Sequence, residues 1–151
     1  MGRLFPLNSR RGGDLPYTMS YIDDGKGLVV DYSGIVSLPE YLAARTEFHM
    51  RDRTRFPCNY CLKDMDEASF ERIPSDEIRV GAMRYWKDHD PPELICAFVV
   101  SDVLNYGIAR MWQSFVDQDG WEVRIFGKRD LATYWIKDRV EERFGFVATI
   151  K

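Results

Sequence analysis

Two cysteines three apart, two histidines, a short acidic run and a serine ahead of two carboxylates are the residues here whose types could do chemistry. Cys58 and Cys61 form a CxxC. At a helix start that spacing supports thiol–disulfide exchange, and with a second ligand pair it holds zinc. The motif falls instead in an expected strand over Phe56 to Leu62, where residues three apart point to opposite faces. The thiols therefore read as structural, and Cys96, inside an apolar run, as core. His49 and His89 each end an expected helix and read as solvent-facing. A Ser-His-Asp set would need one of them, yet no serine sits in a nucleophile-elbow pattern. Asp64, Asp66 and Glu67 follow Lys63 in an expected loop, where nearby acids can converge on a hard cation. Solvated acids are the plainer reading, so no metal site and no cofactor are expected.

Phosphate chemistry fares no better. Gly12 and Gly13 lie in an aperiodic beginning and Gly25 and Gly27 in a hairpin, so neither pair forms a phosphate cradle. Glu40, Asp76, Glu77 and Asp102 already supply negative charge at three helix starts. Only the helix beginning near Lys128 and Arg129 offers cations beside its free amides, as an anion would want. With no complete catalytic set, the chain reads as non-catalytic.

The elements that must carry these residues follow from periodicity and caps. Residues 1–18 carry prolines, glycines and arginines without periodicity and read as an N-terminal arm or tail, leaving 19–151 as the domain. Thr18 to Asp23 and Leu28 to Ser33 are strand-like runs joined by Asp24, Gly25, Lys26 and Gly27, a hairpin signal. Ser37 and Glu40 form a capping box opening a helix to about Met50, with Leu38, Tyr41, Leu42 and Phe48 inward and Arg45 and His49 at its edge. Ser75 caps a second helix with Asp76 and Glu77 in its first turn. Leu94 to Val100 is a continuous apolar run, which predicts a strand buried on both faces. Ser101 and Asp102 then cap a helix in which Leu104, Gly107, Ile108, Met111, Trp112 and Phe115 form the stripe expected on the sheet, with Gly107 allowing close approach. Tyr106 and Arg110 share a different face, which packing does not require; they are the candidate ligand- or partner-reading pair. Trp121, Val123 and Ile125 alternate with Glu122 and Arg124, predicting an edge strand with one wet face. A last helix over Lys128 to Phe144 is expected to bury Leu131, Tyr134 and Trp135. Phe146, Val147 and Ile150 form an apolar tail expected to pack back or to reach a second subunit.

The 151 residues suit one domain with a real core, and apolar content of 45% with 14% aromatics excludes wholesale disorder. A formal charge of −3 and a pI near 5.4 give no electrostatic reason to expect nucleic acid. No run approaches the roughly 20 apolar residues that span a bilayer, and the first residues lack the apolar core of a secretory signal. An odd number of cysteines, three, fits reduced thiols. A cytoplasmic location is the expectation.

The order ββαβαβαβα, with SDVLNYGIARM over Ser101 to Met111 after an apolar strand, resembles the SpoIIAA-like family of small STAS/Sec14-type bacterial domains of largely unassigned function. The resemblance spans roughly Met19 to Phe144. It is carried most firmly by Tyr106, Gly107, Ala109, Arg110 and Met111, with Tyr32, Ser33 and Gly34 as a weaker match. It implies a single α/β domain with a mixed, mostly parallel five-stranded sheet and about four helices. Relatives in the wider STAS fold are phosphorylated on a serine at the start of the helix after the third strand, and Ser75 stands nearest that place. Pro74 precedes it, however, and Asp76 and Glu77 would repel a phosphate, so a plain N-cap is the preferred reading. The expected function is a regulatory or binding domain acting through an unknown protein partner or a small apolar ligand. Tyr106, Arg110, Trp121, Trp135 and the tail are its candidate surface, and homodimerisation is a side expectation. A lipid carrier or membrane-surface domain is one alternative; a small metal-dependent hydrolase built on Asp64, Asp66, His49 or His89 is another.

Overall fold

Asp23, Asp24 and Gly25 take positive φ (53, 55 and 80°) and reverse the chain between β1 (Tyr17–Ile22) and β2 (Gly27–Ile35), which pair antiparallel. In the computed structural model residues 15–74, 76–77, 91–115 and 120–151 are described. Glycine is needed at Gly27, where a Cβ would come within 2.2 Å of the Tyr60 ring. Ser37 Oγ accepts from the Glu40 amide while Glu40 Oε1 accepts from the Ser37 amide, so the expected capping box opens α1 (Leu38–His49). Further on come β3 (Tyr60–Ser69), β4 (Leu94–Val99), α2 (Val103–Phe115), β5 (Trp121–Phe126) and α3 (Arg129–Phe144). Of the helix expected from Ser75 only Asp76 and Glu77 are described, and both are helical. Ser75 and His89 lie outside the described residues.

The sheet runs β1-β2-β3-β4-β5, with β2 to β5 mutually parallel. Connections of one hand to the next-door strand put their helices on one face. Accordingly α1 and α2 share a core with Leu28, Val30, Cys61, Cys96 and Phe98. No crossover constrains α3, and it covers the opposite face, where Ala132, Ile136 and Val140 meet Val29, Leu62, Ile95 and Ala97. The result is the expected mixed, mostly parallel α/β domain, with β4 buried along its whole length and β5 at an edge.

Four local expectations are corrected. First, β3 begins at Tyr60 and continues through the acidic run, because Asp64 points toward α3 and is paired there by Arg129. Cys58 precedes the strand with φ 55°, and its thiol donates to Tyr60 O; all three cysteines are buried and none is in a disulfide. Second, α2 is rotated. Asn105, Ala109 and Trp112 face inward, while Leu104 and Gly107 are exposed and a Cβ on Gly107 would meet nothing within 4 Å. Asn105 takes the inward position because its Nδ2 donates to Met65 O and Ala68 O at 3.1 and 2.7 Å, tying the helix to the end of β3.

Third, Leu131 and Tyr134 of α3 point to solvent, while Ala132, Thr133, Ile136 and Val140 are buried and Trp135 is half-buried against Phe126. Rotation to this face lets Arg139 and Arg143 reach Glu122 of β5, so the polar side of the edge strand is bridged rather than wet. Fourth, His49 is buried, edge-on to Phe48. The tail packs back, as one of its two expected courses had it. Ala148 and Ile150 are buried, and Asp23 accepts from both the amide and the hydroxyl of Thr149.

Candidate functional site

Strand alternation places Cys61, Lys63 and Met65 of β3 on the side facing α1 and α2, so a lysine is turned toward an apolar core. Its ammonium lies 4.1 Å from the centroid of the Trp112 ring and 5.6 Å from that of Phe98. No carboxylate pairs with it among the described residues. The same indole ring has Arg45 at 4.9 Å, and Arg45 is only 5% exposed. Trp112 is held in turn by its Nε1–H, which donates to the Tyr41 hydroxyl at 2.6 Å. Cation–ring contacts of this kind contribute roughly 0.5–2 kcal/mol each, depending on how dry they are.

Two voids open around this group. One, of about 30 Å³, lies among Leu28, Cys61, Leu94, Cys96, Arg45 and Trp121. The other, of about 20 Å³, lies among Tyr41, Met65, Phe70, Phe98 and Ile108. Tyr32, Lys63 and Trp112 line both, so the voids adjoin across these side chains. Burial pushes the hydroxyls of Tyr32 and Tyr41 well up from the ordinary tyrosine value, so both are neutral O–H groups. Cys61, opposite Cys96 in the register, is raised as well, first by its hydrogen bond to that thiol and then by burial. Reactive thiols are depressed rather than raised, so this pair is structural, as its place in the core suggests.

Elsewhere several titratable groups are closed in ion pairs and hydrogen bonds. Arg129 reaches Asp31 at 2.7 Å and Asp64 at 3.0 Å, and it donates to Lys151 O. Burial alone would lower its pKa, but the two carboxylates raise it above the ordinary arginine value. The cation expected to attract an anion at the start of α3 is therefore already neutralised. Asp23 is lowered despite its burial, because Thr149 and Tyr60 donate to it. Among the described residues no cluster of three or more His, Cys, Asp or Glu is set to hold a metal. His49 belongs to the helix on one face of the sheet and Asp64 pairs with Arg129 on the other, so the two do not form one catalytic group.

The other sequence candidates are scattered. Tyr106, 48% exposed, and Arg110 share the outward side of α2 with Val103 at 90% and Leu104 at 49%. Arg110 also lines a surface groove of about 280 Å³ beside Gln113 and Trp121. Trp121 itself is buried at 8%, with its Nε1–H donating to Pro91 O at 2.7 Å. Its side chain is packed in the core and also lines that groove. Trp135 sits on the far face against Phe126 and Arg124.

The sequence singles out neither Lys63 nor Arg45 as a site residue, though it places Arg45 at the edge of the inward face of α1. The signal was present in Tyr60-Cys61-Leu62-Lys63, where period-2 alternation puts the lysine on the side of a buried cysteine.

The chain is similar to a solved structure from Shewanella loihica PV-4, described as an uncharacterised DUF3478-family protein with a SpoIIAA-like fold. Identity is 16% and the TM-score 0.45, over 79% of this chain and 90% of that one. No family model and no curated protein matches the chain. Its α/β assignment stands on its own strand order and directions.

Proposed function

We propose that this chain is a non-catalytic binding domain whose site is the pair of adjoining voids beneath α1 and α2, taking a small, largely apolar ligand. Lys63 carries the reading. Lys63 is half-buried on the core-facing side of β3; such a cation is less costly when something pairs it, and here a ring stands where a carboxylate would be expected. Mostly aromatic and aliphatic walls with a few polar groups are the make-up of small-molecule sites, and voids of about 30 and 20 Å³ admit such a ligand only as α1 and α2 yield to it. Native mass spectrometry after gentle purification is expected to find a retained small molecule. A neutral apolar dye, N-phenyl-1-naphthylamine, is expected to brighten on binding to stripped protein. A clean apo mass together with an unchanged dye would sink the reading. Identification of the retained molecule as a lipid would favour the carrier version of the same function.

A second reading has one observation behind it, the exposed and partly apolar outer side of α2, with Val103, Leu104 and Tyr106. That side would serve a protein partner or a second copy of the chain. Light scattering at high concentration decides the dimer, and a monomer removes it. Among the described residues no helix is long and apolar enough to cross a membrane. A cytoplasmic setting, which keeps thiols reduced, belongs to the same proposal.

A further inference from the structure

We infer that Cys61 and Cys96 form a two-thiolate seat for a single soft cation, copper(I), held in the void beside them and balanced in charge by Lys63.

Cys61 of β3 and Cys96 of β4 stand opposite each other in parallel register. They are 3% and 1% exposed, belong to the core on the side of α1 and α2, and their thiols are hydrogen-bonded. Both line the void of about 30 Å³, whose room for one or two waters exceeds what a bare metal ion needs. The chemistry of the walls selects the ion. Among the described residues they hold no Asp, Glu, His, Asn, Gln, Ser or Thr, so hard ions, which bind through carboxylates and other oxygens, find no carboxylate there. Structural zinc takes four ligands, and the described residues gather no such cluster. Sulfur is what the walls do offer, as two thiols and the thioether of Met19, and soft sulfur donors select copper(I).

Strand spacing suits the same ion. Bonds from thiolate to a closed-shell metal ion are about 2.3 Å long, as zinc sites show, so an ion between two sulfurs holds them about 4.6 Å apart. Neighbouring strands lie about 4.8 Å apart, and side chains at opposite register positions rise from them side by side. A disulfide would instead draw the Cβ atoms to about 3.8 Å, closer than that spacing gives.

Binding exchanges two protons for one ion: both S–H bonds break, two S–Cu bonds form, the protons leave to solvent and no electron moves. The resulting complex carries a single negative charge. Lys63, whose ammonium already favours the Cys61 thiolate, answers it from the same wall. Protonated, the pair is the inert core contact described above. The raised Cys61 thiol makes the proton a strong competitor, which only a strongly thiophilic ion displaces at neutral pH.

The test supplies copper(I) anaerobically to the full chain against bathocuproine disulfonate, read by native mass spectrometry and by the ultraviolet thiolate-to-copper band. One ion per chain is expected, at a mass that shows two hydrogens lost. Apparent affinity should rise about hundredfold per pH unit near neutrality, about tenfold for each proton released. Cys61→Ala and Cys96→Ala are each expected to lose the ion under that competitor, while Cys58→Ala, whose thiol lies off these walls, keeps it. Thermal melts of the metal-free variants check that each is folded. No ion held, a slope of only about tenfold per pH unit, or binding that survives in Cys61→Ala or Cys96→Ala overturns the seat; the slope, measured on the unaltered chain, decides even where a variant fails to fold. Loss in a folded Cys58→Ala overturns it too, since a third thiol would then be a ligand. Zinc(II) held as tightly as copper(I) overturns the choice of ion, and unchanged binding in Lys63→Met overturns the charge balance. The dye titration on metal-free protein tests the apolar-ligand reading separately, so either can fail alone.

Discussion

Under α3, Glu122 takes guanidinium bonds from Arg139 and Arg143, and Asp31 and Asp64 share Arg129. Under α1 and α2, Lys63 and two tyrosine hydroxyls meet apolar walls and one another's neighbourhood, with no acceptor among the described residues. The same sheet thus finishes its electrostatics on one side within the chain and leaves it unfinished on the other. An ion pair already closed adds stability and invites nothing. Polar groups on the core-facing side of a sheet that close no ion pair within the chain are open to a ligand that brings one. The difference locates function more firmly than the position of any single residue does.

The largest effect is expected on the closed face. Ile136 is fully buried between α3 and the sheet, and Ile136→Ala is expected to cost about 3 kcal/mol in urea unfolding, as for other fully buried aliphatics. A loss below about 1 kcal/mol would mean that α3 is loosely docked and that its face is not the settled one. Ligand binding at the opposite face should be affected only through global stability.

Next in size is Glu122→Gln. Arg139 first, and Arg143 with it, hold the Glu122 carboxyl below the ordinary glutamate value of 4.5, against a smaller opposing effect of burial. The folded state therefore binds protons less readily than the unfolded one. The stabilisation is complete above about pH 4.5 and is lost as pH falls through the lowered folded value. With the site partly open to solvent, the substitution is expected to cost about 1 kcal/mol at pH 7. The gap between parent and variant should close as denaturation is followed into acid. A gap independent of pH would show that the contribution is packing and not charge.

Lys63→Met should break the symmetry between the faces by its sign. Removing a half-buried charge flanked by aromatic rings is expected to leave stability unchanged or to raise it by up to about 1 kcal/mol, whereas neutralising Glu122 lowers it. A clear loss of stability in this variant would mean that Lys63 serves the fold, and the contrast between the faces would be gone.

Much of this architecture was legible from local signals, and the failures share a cause. The capping box at Ser37 and Glu40, the hairpin signalled by Asp24 to Gly27, the Asp102 cap and the doubly buried β4 each depend on neighbours in sequence, and all are present. What went astray depends on partners far along the chain. Charges in β3 read as a loop because Arg129, which pairs Asp64, is 65 residues away. The inward place of Asn105 rests on the carbonyls of Met65 and Ala68, 40 and 37 residues back, which receive its amide. Each long-range polar bond turned an element about its axis and carried Leu104, Gly107, Leu131 and Tyr134 outward. The voids around Lys63 were invisible for the same reason, since residues of all five strands and of α1 and α2 wall them.

The smallest effects belong to the pair that sequence singled out. Tyr106 is half-exposed and Arg110 exposed on the outer side of α2. Tyr106→Phe and Arg110→Ala are therefore expected to change stability by less than about 0.5 kcal/mol each and to leave binding of the apolar dye as it was. Chemical unfolding and dye fluorescence measure the two quantities on the same samples. A loss of self-association or of partner binding in these variants, with stability intact, would give the outer side of α2 a role separate from the voids. A loss of ligand binding would instead couple the two sides of α2 through Trp112, and the site would then extend past the sheet face to the helix surface.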